Sequence, residues 1–87
     1  MMNKYIAEFL GSLFFLYVVL ASKNAIVIGA ALTLTIMLVS NITNGDFNPA
    51  VTIMLTAAGK QSVKDAGPFI IAQVMAGLVA VEIYKRM

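Results

Sequence analysis

Four side chains stand out in an otherwise apolar chain as able to do chemistry or to organise it: Glu8, Asp46, Asn48 and Gln73. Glu8 sits inside a long hydrophobic run, where an ionisable group marks either a functional relay or an anchor whose charge is met by hydrogen bonds. Gln73, in another such run, offers an amide for loop anchoring or for bonding between helices. Asn48 precedes Pro49 and Ala50; its side-chain oxygen can cap a helix while its amide nitrogen still donates outward. Asp46 adds a carboxylate two residues earlier. The chain has no His and no Cys, which excludes the commonest catalytic base, thiol nucleophiles, zinc-ligand clusters and disulfides. No nucleophile–base pair can be named, so no enzyme, cofactor or metal site is expected.

The elements that must position these groups follow from composition. Of 87 residues, 61% are hydrophobic and 11% charged, against roughly 45–50% apolar in soluble domains; the mean hydropathy is +0.93. Lipid is the expected solvent. The formal charge of +2 is scattered rather than clustered on one face, which argues against nucleic acid as a partner. Trp is absent, leaving Tyr5, Tyr17 and Tyr84 as candidates for the interfacial belt, of which Tyr5 and Tyr84, near opposite ends, suit it best. Lys4 before an apolar run, with Val19-Leu20-Ala21 after it, also fits a cleaved leader; the remainder would still be a membrane protein.

Three apolar runs are long enough to cross a hydrocarbon core: about 5–21, 25–42 and 67–84, within one unit covering 1–87. Asp65 offers a cap for the third, with Pro68 in its tolerant first turn. Between the second and third lies a shorter stretch. Asn48 as cap, Pro49 at the first helical position and Gly59 after the end delimit a helix over about 49–58. At 1.5 Å per residue it reaches only about 15 Å, half of the core, so its start is expected near the midplane. Backbone broken at that depth must be buried in protein or line water, so the polar loop from Asn44 to Asn48 should face a cavity. The expected fold is an all-α membrane protein: three transmembrane helices plus one re-entrant half-helix.

The stretch Gly45-Asp46-Phe47-Asn48-Pro49-Ala50-Val51-Thr52 closely resembles the Gly/Ala-His-Phe-Asn-Pro-Ala-Val-Thr motif of the aquaporin, or major intrinsic protein, family. Ala7-Glu8-Phe9-Leu10-Gly11 resembles that family's first helix and Ala72-Gln73-Val74-Met75-Ala76-Gly77 its third. The three matches come in family order and cover nearly the whole chain as one inverted-repeat half. The resemblance implies that Asn48, Pro49 and Ala50 form a pore constriction, with the Asn48 amide donating to single-file water. It implies that Glu8, and with it Gln73, anchors the loop, and that Asp46 and Phe47 shape a vestibule. Ala72, Ala76 and Ala80, with Gly77, suit close helix packing, and Gly11 and Gly29 are expected to give helices room to cross. The filter region falls at Ile28, where water-selective members carry an aromatic, and Val51, the position matching the filter arginine of the other half. Asp46 replaces the usual His. Without the aromatic and the arginine, a wider constriction and a weaker electrostatic barrier are expected.

A three-span unit cannot enclose a pore alone. Lys4, Lys60 and Lys64 fall on one side and Lys23, Lys85 and Arg86 on the other, a balance that gives little preference for either orientation. An antiparallel homodimer would rebuild the family's inverted repeat, and by analogy with its tetramers four such pairs, eight chains, would assemble. The expected function is a passive channel for water and small uncharged solutes such as glycerol. Two other readings stand beside it: a small dual-topology proton-coupled exporter using Glu8, and a non-conducting membrane packing protein. Exporters of that kind have four full spans and no short helix at the midplane.

Overall fold

A computed structural model describes residues 2–87. The described residues form four helices and no strand: α1 (Lys4–Ala21), α2 (Ala25–Val39), α3 (Pro49–Ala57) and α4 (Val63–Arg86). Each begins at a side chain that accepts from the first-turn backbone. Asn3 caps α1, Asn24 caps α2, Asn48 caps α3 with Pro49 at its first position, and Ser62 caps α4. Gly59, at φ +75°, takes the left-handed conformation that closes α3 without a Cβ penalty.

Two boundaries differ from expectation. α4 starts at Val63, and Asp65 is not its cap but lies in its first turn, turned inward to accept from Lys4 Nζ at 2.7 Å and Tyr5 OH at 2.6 Å. Pro68 consequently sits in the second turn, where it removes the bond its N–H would give to the carbonyl of Lys64. Lys64 is exposed, so water can take up that carbonyl. α2 ends at Val39 rather than 42, because Ile42 and Thr43 both turn back to donate to the Val39 carbonyl, at 2.7 and 3.0 Å.

α1 and α4 run side by side in the same direction. Lys4 meets Asp65 and Tyr5 packs edge-on against Phe69 at one end; Glu8 meets Gln73 further along; Tyr17 packs edge-on against Tyr84 at the other end. Small residues make this approach possible. Ala7, Ala76 and Ala80 are fully buried, and a Cβ on Gly77 would sit 3.5 Å from Leu16. α2 packs on α1 alone, through Ala31, Thr35 and Val39, while α3 packs on α4. Gly29 does not serve a crossing within the chain: a Cβ there would meet nothing within 4 Å.

Burial is inverted relative to a water-soluble domain. The interior holds Glu8, Ser12, Thr35, Asp46, Thr52, Asp65 and Gln73 beside small or aromatic residues such as Ala7, Ala76, Phe47 and Phe69, whereas Ile26 is 80% exposed, Leu38 72% and Ile71 65%. Two helices, α1 and α4, are long and apolar enough to cross a membrane, and α2 is a shorter apolar helix. The long axis of 38 Å exceeds a hydrocarbon core of about 30 Å.

Candidate functional site

The loop between α2 and α3 is shaped by one carboxylate. Glu8, fully buried on the second turn of α1, accepts four hydrogen bonds: Oε2 from Thr43 Oγ1 (2.8 Å) and Asp46 N (3.1 Å), Oε1 from Phe47 N (3.0 Å) and Gln73 Nε2 (3.2 Å). All four partners are donors, as an ionised carboxylate requires. Each such bond to a charged group is worth about 1.5–3 kcal/mol. They hold a conformation that the loop would not keep by itself. Phe47 has φ 54°, a left-handed geometry costing a non-glycine residue about 1–2 kcal/mol, and Gly45 has φ 72°. The Phe47 ring is seated on Gly11, where an added Cβ would collide with it, beside Ala7 and Val39.

That conformation presents Asn48. Its Oδ1 accepts from Ala50 N at 2.7 Å and caps α3. Its amide N–H groups find no acceptor among the described residues, and the side chain is exposed. Pro49 is half-buried and Ala50 exposed. Beside them an open cleft of about 250 Å³ is lined by Phe15, Leu16, Phe47, Asn48, Pro49, Gln73, Val74 and Gly77. Phe15 lies eleven residues beyond Lys4 on α1, about 17 Å along the helix at 1.5 Å per residue, so this opening is close to half the length of the molecule. The cleft and the Asn48 amide offer a surface for a small hydrogen-bonding solute at a helix N-terminus carrying about half a positive charge.

The remaining candidates are placed differently from each other. Asp46 and Phe47, expected to shape a vestibule, are 5% and 2% exposed and brace the loop from within, and Phe47 also lines the cleft beside Asn48. Ile28, in the first turn of α2, and Val51, in the first turn of α3, are both half-buried, and the chain does not bring them together because α2 and α3 make no contact. Gln73 joins Glu8 to Thr52, donating to both.

Several partners were not singled out from sequence. Thr52, fully buried, receives Gln73 Nε2 at 2.8 Å and donates to Asp46 Oδ2 at 2.8 Å. Its position one turn after Asn48 was the available signal, since residues four apart share a helix face. Thr43 and Gln61 carried none; Gln61 donates to Asp46 Oδ2 at 2.8 Å and accepts from Asn44 Nδ2 at 2.9 Å.

The family model for major intrinsic proteins matches residues 1–87. The chain is 36% identical over 88 residues to a glycerol uptake facilitator protein-like 6 of Lactiplantibacillus plantarum, covering 91% of this chain and 41% of that protein. It is 34% identical over 98 residues to an aquaporin Z of Brucella melitensis, covering 95% of this chain and 43% of that protein. The chain thus spans about two fifths of the length of these curated relatives. No solved structure gives a significant match. The chain belongs to the major intrinsic protein family and is an integral membrane protein.

Proposed function

We propose that the chain forms a passive channel for water and small uncharged solutes such as glycerol, built by antiparallel pairing of identical copies. In this reading α1, α2 and α4 cross the membrane, and α3 is a re-entrant half-helix, beginning near the midplane and returning to the side from which the loop entered. One observation carries it: an Asn48 amide free to donate, fixed at an exposed helix N-terminus about halfway along the molecule. A broken backbone at that depth is tolerated where protein buries it or water lines it, and here Glu8 does the burying on one face. The other face, with Asn48 and Ala50, is left for permeant and partner. The names of the two relatives, a glycerol facilitator and an aquaporin, support the choice of permeant.

Pairing supplies what one copy lacks. Two-fold symmetry about an axis in the membrane plane would bring a second Asn48 opposite the first. The two positive helix ends would repel cations while the amides orient passing water. Four such pairs, eight chains, are the analogue of a tetrameric assembly. Glu8 is fully occupied with four donors and has no access to the surface, which favours an anchoring role over the proton exchange an exporter needs.

The test is two-sided labelling of Ala58→Cys, an exposed position whose replacement leaves the charge balance intact, in sealed vesicles containing the chain alone, combined with their osmotic response. Labelling from both faces with accelerated shrinkage is expected. Labelling from a single face would end the antiparallel reading, and shrinkage no faster than in empty vesicles would end the channel reading.

A further inference from the structure

Asp46 stands where the family motif usually has His, and its carboxyl is turned into the protein rather than toward the mouth. Its Oδ2 is a meeting point for three segments. It belongs to the residue two before Asn48, it accepts from Thr52 within α3, and it accepts from Gln61 in the loop after α3, each at 2.8 Å. Gln61 reaches further, accepting from Asn44 at 2.9 Å, so the loops on either side of α3 are stapled to each other. On its other side Thr52 receives Gln73 of α4.

Those contacts converge on the helix that carries Asn48. α3 has nine residues, too few to be stable by itself in isolation. Its rotation and depth must be imposed from outside. Thr52 is the residue through which this happens: fully buried, one turn beyond Asn48 on the same face, and with its N–H bonded to the Asn48 carbonyl at 3.0 Å. A hydroxyl bonded to a loop oxygen on one side and to an α4 amide on the other fixes both rotation and axial shift.

We propose that Asp46 is a positioning residue for the Asn48 amide, acting through Thr52 and Gln61, and that it thereby helps to set which solute passes rather than placing a charge at the entrance. This rests on the channel reading above. The acceptor oxygen is what matters, so an amide at position 46, whose carbonyl oxygen takes both donors, substitutes for the carboxylate, and a methyl does not.

The test uses the full chain in vesicles and compares Asp46→Ala and Thr52→Val with Asp46→Asn and Thr52→Ser. The readout is the ratio of glycerol to water permeability after the empty-vesicle value of each is subtracted, which does not depend on how many channels are folded and so would not move if Asp46 only supported stability. The first two variants are expected to shift the ratio at least threefold, and the two conservative variants to stay close to the unmodified chain. An unchanged ratio in Asp46→Ala and Thr52→Val overturns the proposal, as does Asp46→Asn behaving like Asp46→Ala. If the unmodified chain conducts neither solute, the channel reading fails by itself. Positioning is then read from amide exchange of residues 50–53 in detergent: at least tenfold faster exchange in Asp46→Ala and Thr52→Val supports it, and equal exchange overturns it.

Discussion

Replacing Glu8 by Gln changes one oxygen for an NH2 group in a pocket built only of donors. Whichever way the amide turns, its nitrogen faces two of them. Toward Phe47 N and Gln73 Nε2 it would oppose a backbone N–H and an amide that already serves Thr52. Toward Thr43 and Asp46 N the collision is milder, because the Thr43 hydroxyl can rotate to accept, which leaves one buried N–H at Asp46 without a partner. A stranded buried donor costs about 1–3 kcal/mol, and loss of charge weakens the bonds that remain. A total of about 2–4 kcal/mol follows, enough to release the left-handed Phe47, whose geometry stores about 1–2 kcal/mol. Hydrogen exchange in the 43–48 segment is expected to rise by about a hundredfold, since every 1.4 kcal/mol is a factor of ten. Osmotic permeability should fall with it. A Glu8→Gln protein with unchanged exchange across that segment would refute the assignment of the carboxylate as the element holding the loop.

The glycines give a paired contrast. Gly11→Ala drives a methyl into the Phe47 ring and should destabilise by about 1–3 kcal/mol, whereas Gly67→Ala, with open space around it, should stabilise α4 by up to about 1 kcal/mol; thermal unfolding in detergent reads both. Lys4→Met removes one of the two donors that satisfy Asp65, whose side chain is only 6% exposed, and should lower the unfolding temperature in the same assay. Arg86→Ala breaks a pair to Glu82 in which both side chains are more than half exposed, so its effect in the same assay should stay within about 0.5 kcal/mol.

What the sequence made legible was local. Asn48, Pro49 and Gly59 bounded a short helix because capping and φ preferences act within a few residues. Glu8 stood out because a charge in an apolar run demands partners. The partners themselves were invisible, since Thr43, Gln61 and the Lys4–Asp65 contact depend on which helices lie side by side. The start of α4 was misplaced for a related reason. Ser62 and Asp65 are both good caps, and only the tertiary pull of Lys4 and Tyr5 on Asp65 decides between them. Hydropathy carried α2 on to Ile42, because a turn formed by two N–H groups sharing the Val39 carbonyl leaves no trace in composition. The motif places Asp46 and Phe47 beside the loop but reveals neither their burial nor the left-handed φ at Phe47, which depend on Glu8 and Gly11 of α1.

The most direct measurement is the temperature dependence of osmotic shrinkage in vesicles containing the purified chain, beside the same vesicles with Asn48→Asp and with no protein. Fast shrinkage with an activation energy well below that of the bare bilayer, lost when Asn48 is replaced by Asp, is the predicted result. Inserted, folded protein whose vesicles shrink at the bare-bilayer rate and with the bare-bilayer activation energy would contradict it.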